Sequence, residues 1–306
     1  MNVMSFVYGF IVLVCVFIFQ TTLTGLNRKV TARLQKRYGA RWYQQFLDIF
    51  KALRKDSTSH GWVFDFGVIM ALGGIMATVI FIPVAGFQAF PGLDNIFVIS
   101  YLLAVGMLGM AMSAAGSGNP WASIGVARAL TNMLAYDVPL MIVIFTMIFA
   151  FDSSSLSELS VMQQGMGILG WNAIRMPLGG IVAVIALLGM LGKKPFDSFI
   201  APAEIASGPM VEYGGKHLGF MFILHEFMTF IEVSIILALF FGGGATIWEY
   251  MLKYAILYTF TNIISGVMPR FKIDQAVKYF FKLPLAMAII QGLVVIFTGL
   301  GVTLWF

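Results

Sequence analysis

Apolar runs long enough to cross a bilayer recur along the whole 306-residue chain, and its positive charge is gathered in alternate gaps between them. A helix needs roughly 20 apolar residues to span the hydrocarbon core. Eight segments meet that requirement: 3–24, 66–87, 96–114, 133–151, 174–191, 218–241, 246–267 and 283–304. Of the 19 Lys and Arg, nine lie in 28–55, one at 128, three in 193–216 and four in 270–282, leaving only Arg175 and Lys253. Basic loops are retained on the cytoplasmic side of an inserted multi-span protein. That pattern places loops 25–65, 113–132, 192–217 and 268–282 inside and, with an even number of spans, both termini outside. The runs are continuous rather than alternating, which favours helices over barrel strands. The expected fold is an all-α polytopic membrane protein of about eight transmembrane helices, forming a single membrane domain over 1–306.

The sequence excludes several chemistries. Cys15 is the only cysteine, so neither an internal disulfide nor a cysteine-ligated iron–sulfur cluster or zinc finger can be built; it reads as a packing residue. The first span lacks a preceding basic residue and a small-residue cleavage site, and reads as retained rather than as a signal peptide. No nucleotide-binding glycine fingerprint, phosphate-binding loop or metal-spaced histidine pair occurs, and His60, His217 and His225 are scattered. No metal site, catalytic centre or cofactor is expected on this chain. Nucleic acid is an improbable partner, because the basic loop is short and adjoins the bilayer.

The inward loops carry the unusual chemistry. In loop 25–65, Trp42, Phe46, Ile49, Phe50 and Leu53 have helical spacing, with Asp48, Lys51, Arg54 and Lys55 elsewhere around the helix. This predicts an amphipathic helix at the membrane surface. The loop suits lipid headgroups or, better, a cytoplasmic partner protein. Loop 192–217 mixes Asp197, Glu204 and Glu212 with aromatic residues and with prolines at 195, 202 and 209. Irregular backbone near membrane depth requires surrounding protein or a wet cavity. Acids held there would exchange protons, unless they pair with Lys193, Lys194 or Lys216. Within the spans, Glu226 and Glu232 fall near the middle of 218–241 beside His225, and Asp137 lies near the inner end of 133–151. An ionised carboxylate at mid-bilayer costs about 2.5–3.5 kcal/mol on insertion scales, so such residues mark an ion or proton path by default. At 100° per residue, His225, Thr229 and Glu232 share one face, with Glu226 off to the side. Glu249 and Lys253 are spaced for an intrahelical pair.

The order of these features resembles the NuoH family: subunit 1 of respiratory complex I and the matching membrane subunit of energy-converting hydrogenases. Four blocks carry the resemblance. The first runs from Arg28-Lys29 through Arg33, Gln35, Arg37, Gly39, Gln45, Asp48, Lys51 and Lys55. The second is Gly125, Arg128 and Ala129, followed by Tyr136-Asp137 and Pro139. The third is Lys194-Pro195-Phe196-Asp197, then Glu204 and Glu212-Tyr213. The fourth is Arg270 with Asp274-Gln275. The resemblance implies a subunit that anchors a cytoplasmic arm carrying iron–sulfur clusters and starts a charged path toward antiporter-like pumping subunits. It assigns Asp137, Glu204, Glu212 and Glu226 to that path. Glu232 and His225 join them by their place within the span, and Asp197, Lys194 and Arg128 by their place in the matching blocks. Arg28, Lys29, Arg33, Gln35, Arg37, Asp48 and Lys51 would meet the arm.

Departures from the pattern choose a branch. Gly39-Ala40-Arg41 stands where complex I homologues continue Gly-Pro-Asn, Asp137 where Glu is usual and Lys194 where Arg is usual. The run Ala206-Ser207-Gly208-Pro209, then Val211 to Lys216, looks more like the hydrogenase-related branch. The reading is a non-catalytic membrane subunit of a ferredoxin-driven, ion-translocating hydrogenase or sulfur reductase, with iron–sulfur and possible nickel–iron centres on its partners. A quinone-lining complex I subunit and a stand-alone ion transporter are the competing readings.

Overall fold

The structure is a computed structural model that describes residues 3–165 and 167–298. Its helices are α1 (Val3–Leu34), α2 (Gln44–Leu53), α3 (Trp62–Phe81), α4 (Ile96–Gly116), α5 (Pro120–Phe151), α6 (Leu156–Gln164), α7 (Asn172–Arg175), α8 (Pro177–Met190), α9 (Pro202–Ile205), α10 (Gly215–Phe240), α11 (Ile247–Val267) and α12 (Ile273–Thr298). Six of them, α1, α3, α4, α5, α10 and α12, are long and apolar enough to cross a membrane. α11 has the length, but three tyrosines, Glu249 and Lys253 leave it less apolar.

Several expected spans move, each for a local reason. α1 runs ten residues past the expected end at 24, because nothing in Gly25–Leu34 breaks a helix and Arg28, Lys29 and Arg33 tolerate one. α5 starts thirteen residues before 133: Asn119 caps it by accepting from the Trp121 N–H (2.8 Å), and Pro120 fills the first helical position. At 1.5 Å per residue, each of these 32-residue helices is about 48 Å long and overreaches the apolar core. α3 ends at Phe81, ahead of Pro83, rather than at 87. The expected span 174–191 is split at Met176–Pro177 into α7 and the 14-residue α8. α12 begins at Ile273, so most of the expected loop 268–282 is helical; residues 299–304 of that span lie outside the described residues. The connection 152–173, expected to be a plain loop, contains α6.

α10 is the axis of the bundle. Of its apolar window 78% is buried against protein, compared with 44% or less in the other five. α3 and α4 approach each other through glycines: a Cβ on Gly67 would lie 2.6 Å from the Ser113 nitrogen, and one on Gly109 would lie 2.4 Å from the Ala71 nitrogen. Small residues that admit close backbones are a common basis of helix pairing in lipid. The amphipathic α2 forms as expected, though its buried stripe is Gln45, Ile49 and Ala52, with Leu47 and Phe50 left exposed.

Candidate functional site

The segment 191–214 crosses the basic end of the bundle as short turns, and its acids are held from α5 and from the residues just before α12. Arg270, just before α12, grips Asp197 with two hydrogen bonds of 2.7 and 2.6 Å. That hydrogen-bonded carboxylate pushes the guanidinium still higher than its ordinary value. Arg128 on α5 donates to Glu204 at 3.0 Å and also reaches the Ser198 carbonyl. Asn119, the cap of α5, donates to Glu212 at 2.5 Å, and His60 lies 3.4 Å from the same carboxylate. His217 lies 3.1 Å from Asp65, and the Phe64 ring packs between His60 and His217. Two of the scattered histidines therefore flank one ring, each with its own carboxylate, Glu212 for His60 and Asp65 for His217.

The loop acids do not pair with Lys193, Lys194 or Lys216. They also differ in their access to water. The Glu204 side chain is 55% exposed in the single chain and Glu212 30%, whereas Asp197 is 13% exposed. The backbone turn that carries them seats tightly on α5, where a Cβ on Gly125 would lie 2.6 Å from Gly208 Cα. Tyr213 is buried beside it, and burial lifts its hydroxyl to about 12.

The two acids of α10 are drier still, each about 1% exposed, and they face different sides of the helix. Glu232 lines a cavity of about 310 Å³ between α4, α5, α10 and the 191–210 segment. Seven methionines line it, and its polar walls come chiefly from Asn132, Tyr136, His225 and Glu232. One oxygen each of Asn132 and Glu232 is buried without a hydrogen-bond partner. Such groups carry a desolvation cost that a guest or ordered water would relieve. Of the face expected from helical spacing, His225 and Glu232 share the cavity; Thr229 instead gives its carbonyl to Tyr254.

Glu226 turns the other way, into the junction of α1, α2 and α11. Thr24 donates to one of its oxygens at 2.7 Å and Gln45 to the other at 2.8 Å. The Tyr258 hydroxyl stands 3.3 Å from Thr24, and the Tyr258 ring carries the Lys193 ammonium 4.2 Å from its centre. Asp137 is half-buried on α5 beside Tyr136 and is not part of the cavity wall.

Comparison with known proteins decides what this arrangement belongs to. The family profile for NADH dehydrogenase matches residues 7–296. The chain belongs to the NADH dehydrogenase (NuoH) family. It is accordingly a multi-pass membrane protein of a respiratory-complex family. It is 27% identical to one of the subunits of the F(420)H(2) dehydrogenase of Methanosarcina mazei, across 91% of this chain and 89% of that one. The Methanosarcina acetivorans counterpart is also 27% identical, across 92% and 90%. Among solved structures, the membrane-bound sulfane sulfur reductase, an archaeal respiratory membrane complex, contains a chain similar to it with a TM-score of 0.90 and 34% identity. That match covers 95% of this chain and 99% of the other.

Within this NuoH-family chain the basic platform is largely solvent-facing. Arg28, Lys29, Arg33, Gln35, Arg37 and Lys51 are exposed and Asp48 is half-buried. The platform organises itself: Arg28 pairs with Asp48 at 3.4 Å, Arg37 donates to Gln35 at 2.8 Å, and Arg33 lies over Tyr38. Lys194 contributes its backbone N–H to Ser265. Among the described residues, no group of three His, Cys, Asp or Glu side chains converges to hold a metal ion. Sequence reasoning missed Thr24 and Gln45 as partners of Glu226, and Tyr258 and Asn262 as the seat of Lys193. One signal was available, the one-turn repeat Tyr250, Tyr254, Tyr258, which marks a polar stripe facing α10.

Proposed function

We propose that the chain is the membrane subunit of a ferredoxin-driven, ion-translocating respiratory oxidoreductase of hydrogenase or sulfur-reductase type. It supplies no redox centre. Its basic platform anchors a peripheral iron–sulfur arm at the cytoplasmic face, with both termini on the opposite side, and its carboxylates couple the arm's chemistry to antiporter-like pumping subunits. The observation that carries the reading is the anchoring of Glu204 and Glu212 to the two ends of the overreaching first turns of α5, through Arg128 and Asn119. A charge change beside the loop acts there on the same helix that holds Asp137. The 34% identity to a chain of the sulfane sulfur reductase complex supports this branch.

Glu204→Gln and Glu212→Gln in the whole complex test it. Ion uptake by inverted vesicles is expected to fall to background while the subunits still co-purify; undiminished uptake refutes these roles. The apolar cavity favours one other reading, a chamber for a quinone, since ligand sites are mostly apolar with a few placed polar groups. Co-purifying subunits separate the two: a nickel-binding or sulfur-reducing large subunit supports the first, and a flavin–NADH module with quinone reduction supports the second. Ion transport by the purified chain without partners would instead support the stand-alone transporter.

A further inference from the structure

Lys193 of loop 192–217 turns inward, and its surroundings are unlike those of an ordinary loop lysine. Its ammonium donates to the Asn262 side chain at 2.5 Å and sits on the face of Tyr258. Its immediate partners are thus an amide and an aromatic ring, both from α11, rather than a carboxylate. Asn262 is fixed in turn by donating to the Tyr258 carbonyl at 2.7 Å. Beyond the ring, the Tyr258 hydroxyl touches Thr24, and Thr24 bonds Glu226. One ring and two hydroxyls therefore separate a cation from a carboxylate that is 1% exposed. In a poorly hydrated interior, opposite charges at such separations remain coupled, because little water screens them.

The backbone ties this cation to the loop that carries the other acids. Phe196 closes a turn onto the Lys193 carbonyl, Phe271 donates to the Pro195 carbonyl, and Asp197 is gripped by Arg270. A displacement of the loop against α12 therefore moves Lys193 relative to α11.

Arg28, one turn beyond Thr24 on α1, also acts on Glu226 as a fixed cation. We propose that Lys193 is a positioning residue that adds a movable charge to this fixed one: seated on Tyr258 it favours the Glu226 carboxylate, and its withdrawal with the loop lets Glu226 take up a proton. This rests on the reading of Glu226 as a member of the ion path. Burial draws the Lys193 ammonium down to about 7, against the attraction of Glu226 and Glu232, so small changes in its seat alter its own charge as well.

The test uses the whole complex, oxidised and dithionite-reduced, with infrared difference spectroscopy of protonated carboxyl groups; the Glu226 band is the one lost in Glu226→Gln. Wild type and Lys193→Arg are expected to show a redox-linked Glu226 band. Lys193→Met is expected to lose that redox dependence and to stop pumping while electron transfer continues. Asn262→Leu unseats the ammonium without removing it and is expected to weaken the redox dependence of the band and the pumping likewise, which keeps the proposal exposed if Lys193→Met does not assemble. A wild-type band and full pumping in either variant, with Glu226→Gln uncoupled, overturn the role of Lys193 and leave the ion path standing. Full pumping by Glu226→Gln removes the path reading, and this inference with it.

Discussion

The two ends of the bundle hold their acids in opposite ways. At the end away from the basic loops, Asp94 is 4% exposed and accepts from the Ser155 hydroxyl at 2.6 Å, the Ser157 N–H at 3.0 Å, the Ser157 hydroxyl and the Gln88 amide at 3.2 Å. Its own carbonyl accepts from the Leu156 N–H, so the 88–95 connection and the start of α6 form one knot. At the basic end, each loop acid is held by one or two side chains from a distant element and stays partly open. A carboxylate saturated by fixed neutral donors has a single arrangement, because every alternative strands several donors. A carboxylate held by one cation at the water's edge loses little on letting go. One end is built to stay still, and the other is built to respond.

The largest expected effect comes from cutting the knot. Asp94→Ala removes an acceptor shared by four donors and should destabilise the detergent-solubilised protein by about 3 kcal/mol, read by thermal unfolding. The sign of its pH dependence follows from its titration. Burial acts to raise the Asp94 carboxyl, but the hydrogen bonds from Ser155 and Ser157 outweigh it, and the net value lies below the ordinary 3.8. Its contribution is therefore complete above the unfolded value and is lost as pH falls through the lower folded one. Asp94→Asn should flatten that acid limb; an unchanged acid transition would break the comparison. Next in size, Arg270→Ala strands a mostly buried Asp197 and should cost about 2 kcal/mol, less than a fully buried pair because Arg270 is itself partly exposed. If Arg270→Ala proved as costly as Asp94→Ala, the basic end would be no looser than the other.

How much of this was legible in the sequence follows from the range of the forces involved. Apolar length and the grouping of Lys and Arg are local properties, so the membrane class and the all-helical fold could be read directly. The ends of the helices were harder. Arg28 and Arg128 marked loops by charge, yet both sit on helices, because a charged helix that leaves the bilayer need not stop. The α2 helix was readable from its spacing. That Gln45 on it would face Glu226 was not, since 181 residues separate the two. Likewise, the spacing rule put His225, Thr229 and Glu232 on one face and Glu226 on another; the cavity takes His225 and Glu232 but not Thr229, whose carbonyl lies toward Tyr254. The rule could not say that the second face meets Thr24 and Tyr258, because those partners arrive from the first and eleventh helices.

The smallest expected effect is the one that separates folding from docking. Arg28 and Asp48 are 45% and 40% exposed, and a pair so open is worth at most about 0.5 kcal/mol. Arg28→Ala should leave the unfolding temperature of the isolated subunit nearly unchanged. The same substitution removes one charge from a platform whose other members, Lys29, Arg33, Arg37 and Lys51, have little to do with holding α1 or α2 in place. If that platform exists to receive a partner, the arm should dissociate from the variant complex at lower salt than from wild type, because exposed charges act through screened fields. A variant that unfolds early yet keeps its arm at high salt would reverse the assignment and make the basic extension of α1 a structural strut.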